Sequence, residues 1–150
     1  MSAGLVVLIV VLAAATAFGA YRRLTDGRIR GVDPRTRPRR VGEPAPDPDL
    51  VTAADLGQPL GERATLVQFS TAFCQPCRPT RRVLAEVADM VDGVRHVDVD
   101  AESHLDLVRR LQVLRTPTVL VLDRDGHVVR RATGVPRRAD VVAALGEAIP

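Results

Sequence analysis

The hydrophobic and polar positions divide the 150-residue chain into three stretches of different character. From Leu5 to Phe18 every residue is Leu, Val, Ile, Ala or Phe except Thr16, and Ala3 to Ala20 carries no charge. A run of this kind predicts a helix at the short end of what crosses a bilayer. Residues 22–48 then show no apolar period and are rich in Arg and Pro. Repeated prolines hold neither a helix nor a central strand, so this stretch reads as a semi-extended linker. Beyond Asp47 short apolar runs alternate with stripes at helical spacing, which is the signature of an α/β domain.

Within that domain, 49–150, the elements follow in order. Thr52-Ala-Ala-Asp55 has the pattern of a capped helical turn ending at Gly57. Ala64–Phe69 is a run fit for a buried strand, followed by the small polar turn Ser70-Thr71-Ala72. Val83, Leu84, Val87, Ala88 and Val91 make one helical stripe that Gly93 ends. Val94–Val99 reads as a second strand. Ser103 to Asp106 has capping-box spacing and opens a helix to about Leu111, with Leu105, Val108 and Leu111 expected on the inner face. Thr118–Leu122 is a continuous apolar run, and Asp123–Gly126 is a hairpin turn leading into His127–Thr133. A last helix after Gly134 is expected to turn Val141, Val142, Leu145 and Ile149 inward.

Charge changes the picture at the N-terminus. Residues 21–40 hold eight Arg against Asp26 and Asp33, whereas 41–150 hold 13 Arg against 16 acids. The domain is mildly acidic and the net +3 comes from one basic segment. Arg22, Arg23, Arg28, Arg30, Arg35, Arg37, Arg39 and Arg40 all follow the apolar run, and Tyr21 sits at the interface position. A signal peptide has its basic residues before the apolar core, and here only the terminal amine stands there. Small-residue cleavage sites exist at Ala13-x-Ala15 and Ala15-x-Ala17, so export is the competing reading. The positive-inside rule favours an uncleaved anchor over residues 1–21 with the domain in the cytoplasm. The arginines, without interleaved aromatics, then rest on anionic headgroups rather than on nucleic acid.

Candidate chemistry is confined to one place. The chain has two cysteines, Cys74 and Cys77, which excludes a disulfide-scaffolded secreted domain. They fall between a strand and a helix. The first thiol sits where unpaired backbone N–H groups and the helix dipole favour a thiolate, and the second lies less than one turn away. In motifs of this type the first thiol titrates near ~7 or below rather than ~8.5. The pair can open and close without large backbone movement, which suits exchange. Zinc would need two further ligands, and His96, His104 and His127 lack the spacing. The histidines otherwise read as solvated, and Asp98 and Asp100 as strand-end carboxylates.

Four landmarks carry a resemblance to the thioredoxin family over about residues 50–150: Cys74-Gln-Pro-Cys77, the Val97-Asp-Val-Asp100 strand end, Thr116-Pro117, and Thr133-Gly134 before the last helix. The full chain also resembles short membrane-anchored thioredoxin-domain proteins of high-GC bacteria. The resemblance implies a thioredoxin-like fold, a central mixed sheet flanked by helices, here preceded by one transmembrane helix. It implies Cys74 as attacking thiol and Cys77 as resolving thiol, with Pro117 as a cis-proline facing them. Phe73, Gln75, Pro76, Thr116 and Gly134 would line the groove for a bound polypeptide. Three departures stand out. Phe73 replaces a common Trp, Gln75-Pro76 replaces Gly-Pro, and Gln68 replaces a buried Asp thought to help deprotonate the second thiol. An amide takes no proton at neutral pH. His96, near the position of a buried family lysine, is the one candidate to stand in as a base.

The function this implies is a membrane-anchored thiol–disulfide oxidoreductase that reduces protein disulfides, supplied by an upstream dithiol donor. The cysteine pair is the redox group, and no further cofactor is expected. A non-catalytic binding module and an exported thiol reductase for haem-protein maturation are the alternatives.

Overall fold

A computed structural model describes residues 3–25, 30–31 and 47–149, with the backbone alone for 23–25 and 30–31. Most of the Arg- and Pro-rich linker, including Arg28, Arg35, Arg37, Arg39 and Arg40, lies outside the described residues. The elements are α1 (Ala3–Thr25), β1 (Arg30–Gly31), α2 (Ala53–Leu56), β2 (Ala64–Ser70), α3 (Cys77–Met90), β3 (Val94–Asp100), α4 (Leu105–Arg110), β4 (Thr118–Asp123), β5 (Val128–Thr133) and α5 (Arg138–Ala148).

They build one mixed sheet in the order β1-β5-β4-β2-β3. β3 lies parallel to β2 through the α3 crossover, while β4 runs antiparallel to both β2 and β5. β2 is buried along its whole length because both faces of the sheet are covered. Its side chains alternate between two cores. Val67 and Phe69 join Val97, Val99, Leu107, Leu111, Leu120 and Leu122 on the face covered by α2 and α4. Ala64 and Leu66 join Leu84, Val87, Val119, Val121, Val141 and Leu145 beneath α3 and α5. Gln68 points to this second face and is fully buried.

α2 is capped as the sequence predicts. The Thr52 hydroxyl accepts from the Asp55 N–H, the Asp55 carboxylate accepts from the Thr52 N–H at 2.8 Å, and Gly57 closes the turn in the left-handed region. Arg110 reaches back from α4 to pair with Asp55 at 2.6 Å. Gly126 ends the β4–β5 turn with φ +90°, and a Cβ there would lie 2.2 Å from the Val51 carbonyl oxygen. Only glycine fits that approach.

Three local expectations are corrected. The Ser103–Asp106 capping box does not form. His104 is the N-cap of α4 without a side-chain cap, the Ser103 hydroxyl donates to Asp100, and Asp106 pairs with Arg109. The Ser103 N–H, which the box would give to Asp106, donates instead to the Asp100 carbonyl at 3.2 Å. α4 consequently buries Leu107 and, just beyond it, Leu111, while Leu105 is exposed. In α5 the inward residues are Val141, Ala144, Leu145 and Ala148, and Val142 lies outward. The small alanines at i+3 and i+7 from Val141 bring the helix close to the sheet, so the flank carrying Val142 faces water.

Near the N-terminus, Ala3–Arg22 is long and apolar enough to cross a membrane by length and composition, a test that a signal sequence also passes. After α1, Arg30 and Gly31 add an edge strand to the sheet, antiparallel to Arg131 and Arg130 of β5.

Candidate active site: a cysteine pair between a strand end and a helix start

β2 ends at Ser70, and the chain turns through Thr71–Pro76 before α3 begins at Cys77. The turn is tied by its own backbone. The Cys74 N–H donates to the Thr71 carbonyl and the Cys77 N–H to the Cys74 carbonyl, both at 3.2 Å. Pro76 occupies the N-cap with φ −72°, a position where a missing N–H costs nothing. Cys74 and Cys77 are joined in a disulfide with Cα atoms 5.3 Å apart. Cys77 is 3 % exposed, whereas Cys74 is half-buried and reaches the surface. The outer sulfur is therefore reachable from solvent, while the inner one is shielded by the fold. Gln75 and Pro76 are exposed between them, and Phe73 is 93 % exposed beside them.

The β4 end of the sheet supplies the facing wall. The β2–β4 ladder pairs Phe69 with Thr118. Continued past that pair, it sets Ser70 opposite Pro117 and Thr71 opposite Thr116. The Thr71 and Thr116 hydroxyl oxygens lie 3.4 Å apart, and the Thr116–Pro117 peptide is cis. Pro117 is buried and its carbonyl accepts from the Gly134 N–H at 2.9 Å. Gly134 has φ +88°, a conformation suited to glycine. Thr116, Pro117 and Gly134 thus meet at the strand end beside the cysteine turn. Leu114, 93 % exposed, and Val135, 38 % exposed, flank them along the chain. As exposed aliphatic residues they leave no periodic signal in the sequence.

Beneath the cysteines, the Gln68 side-chain amide donates to the Cys77 carbonyl at 3.0 Å, and its Oε1 has no hydrogen-bond partner among the described residues. His96 is on the same sheet face, paired in register with Leu66 and half-buried rather than solvated. Burial pushes its pKa below the usual histidine value. The Asp98 charge opposes that shift, and Arg81 adds to it. Its Nε2 is buried without a hydrogen-bond partner among the described residues. His104 is half-buried, its Nδ1 3.0 Å from the Asp100 carbonyl oxygen, and His127 is exposed.

A cleft of about 440 Å³ opens on the other side of the cysteines, lined by Ser70, Cys74, Cys77, Arg78, Arg81, Asp98, Asp100 and Glu102 among others. Asp98 is no free strand-end carboxylate. Its Oδ1 accepts from the Ser70 hydroxyl at 2.7 Å, and its Oδ2 accepts from Arg81 Nε at 2.7 Å and pairs with Arg81 Nη2. Asp100 is held below the usual carboxylate range by the Ser103 hydroxyl and the Glu102 N–H. Register alternation along β3 and the four-residue step from Cys77 to Arg81 were the available signals for this network.

The chain is similar to known proteins. A thioredoxin of Mycobacterium tuberculosis is 29 % identical over 89 residues, covering 59 % of this chain and 76 % of the relative. One of Mycolicibacterium smegmatis is 32 % identical over 91 residues, covering 58 % and 80 %. Among solved structures, chloroplastic thioredoxin z superposes with a TM-score of 0.51 at 26 % identity, covering 57 % of this chain and 78 % of that one. The thioredoxin family model matches residues 52–147, which is well over half of the chain, and the protein therefore belongs to the thioredoxin family of thiol–disulfide oxidoreductases.

Proposed function

We propose that the protein is a membrane-anchored reductase of protein disulfides, with Cys74 as nucleophile and Cys77 as resolving thiol. The observation that carries this reading is the unequal exposure of two bonded sulfurs beside a cis-proline strand end. In the reduced form the Cys74 thiolate attacks one sulfur of a substrate disulfide, forming a mixed disulfide and expelling the other substrate sulfur as thiolate. Cys77, deprotonated, then attacks Cys74 Sγ. The bond to the substrate breaks, the second substrate thiol leaves, and two electrons have passed to the substrate. An upstream dithiol donor must reduce the Cys74–Cys77 disulfide again.

The groove for the substrate chain runs along Phe73, Gln75, Pro76, Thr116, Pro117 and Gly134. Exposed Phe73, Leu114 and Val135 give it an apolar character that suits an unfolded or locally opened polypeptide. The apolar Ala3–Arg22 helix and the arginines behind it support an anchor with the domain on the cytoplasmic side. In that compartment the ambient poise keeps the pair reduced, which favours reduction over oxidation.

The test is insulin reduction by the full chain in detergent, with dithiothreitol as donor. The native protein accelerates precipitation of the insulin B chain and Cys74→Ser does not. Cys77→Ser accumulates a mixed disulfide on Cys74. Native activity in Cys74→Ser overturns the assignment.

A further inference from the structure

For the resolving step the buried Cys77 thiol must lose a proton and carry charge inside the fold. Gln68, directly beneath it, cannot take that proton or balance that charge. The helix start supplies part of the stabilisation. The remaining charged groups around the cleft differ in how firmly they are placed. On α3, Arg78 is exposed. On β3, His96 is kept neutral by burial, and Asp100 is committed to Ser103 and Glu102 N–H. Glu102 itself is exposed in the loop after β3. Exposed charges are solvated and screened, and they contribute little at a distance.

Arg81 is different. It follows Cys77 by four residues, so the two side chains leave the same face of α3. Its guanidinium is fastened by Asp98, whose other oxygen is fastened by Ser70. Gln68 and Asp98 are register partners on adjacent strands, so the two anchor points of α3 lie one strand spacing apart, ~4.8 Å. One anchor holds the Cys77 carbonyl and the other holds Arg81. The ion pair has no net charge, but its cation comes from the helix that carries Cys77 and its anion from a strand beyond Gln68. Cys77, Arg81 and Asp98 all line the cleft, and of the two charges the guanidinium is the one borne by the helix that carries Cys77.

We propose that Arg81, fixed by Asp98 and Ser70, is the positioning residue of the resolving step and stabilises the Cys77 thiolate in place of a titrating group at position 68. The inference rests on the exchange reading given above. In that step the Cys77 proton leaves to solvent through the cleft, the thiolate attacks Cys74 Sγ, and the substrate thiolate departs.

The two steps separate with an aromatic disulfide probe, 5,5′-dithiobis(2-nitrobenzoate), mixed in stopped flow with the reduced full chain in detergent. The first coloured thiolate reports attack by Cys74 and the second reports resolution by Cys77. Arg81→Gln is expected to leave the first release within about twofold and to slow the second about fivefold at pH 7, the size expected of one partly solvated charge. Its pH midpoint for the second release moves upward, so native and variant converge at alkaline pH. Arg81→Lys restores most of the rate, and added salt slows the second release in the native protein but not in Arg81→Gln. A native far-ultraviolet circular dichroism spectrum and melting temperature show that the variant is folded. An Arg81→Gln protein whose second release keeps the native rate and pH midpoint overturns the inference and leaves the exchange reading intact. A native protein that releases no thiolate in either phase overturns that reading, and this inference with it.

Discussion

At the scale of single residues, the feature that departs most from the resemblance is Gln68. It is fully buried, it spends its N–H on the Cys77 carbonyl, and its Oε1 is unpartnered among the described residues. A carboxylate there would lose the donor that reaches Cys77 and would have to be buried charged or take a proton. Gln68→Asp is therefore expected to cost about 1–3 kcal/mol of stability while shortening the life of a mixed disulfide on Cys74. Urea unfolding and quenched-flow trapping measure the two effects, and equal lifetimes in native and variant protein would count against a role for this position. His96 gives a pH signature of its own. Its folded pKa is depressed by burial, so the stability that it contributes as a neutral ring is fully present above the unfolded value of about 6.5. That contribution is lost as the pH falls from there through the lower folded value. The melting temperature of the native protein should drop between pH 7 and pH 5 more steeply than that of His96→Gln. Parallel curves would exclude the histidine as the cause.

At the scale of elements, what was legible in the sequence is what short-range physics determines. The buried run of β2, the apolar stripe of α3 and the Thr52–Asp55 box are set by neighbours within a few positions, and they stand where the pattern puts them. The box should be worth about 1 kcal/mol, so Thr52→Ala lowers the unfolding free energy measured by urea titration by that amount without touching activity. Burial alone would raise the Asp55 carboxyl, but bonds from Arg110 and Thr52 outweigh it and hold it low. The cap is thus also a brace between α2 and α4. The α4 start was misread because two acceptors competed for Ser103, and the winner, Asp100, belongs to the preceding strand. The Arg81–Asp98–Ser70 network left only indirect signals, the alternation along β3 and the step from Cys77 to Arg81, for a similar reason. Its members are 17 and 28 positions apart and meet only once β3 is laid beside β2. The cysteine pair and the Thr116–Pro117 step were legible through spacing and resemblance. Leu114 and Val135 were not, since an exposed aliphatic residue leaves no periodic trace.

At the scale of the whole molecule, the proposed anchor gives the domain a side, and that side would decide which clients the cysteines encounter. With the domain in the cytoplasm, a membrane-impermeant maleimide applied to intact cells leaves Cys74 unlabelled until the cells are opened. Labelling before lysis would place the domain outside and favour an exported reductase. The edge strand β1 carries a consequence of its own. Arg30 follows the end of α1 at Thr25 by five steps, and a chain spans at most ~3.6 Å per residue, so the sheet margin sits within ~18 Å of that end. For a domain anchored through α1 this is a very short leash. The dithiol then patrols a thin layer against the lipid, where partners in the same bilayer are met again and again while freely diffusing ones are met seldom. Selectivity of that sort needs no recognition pocket, only geography.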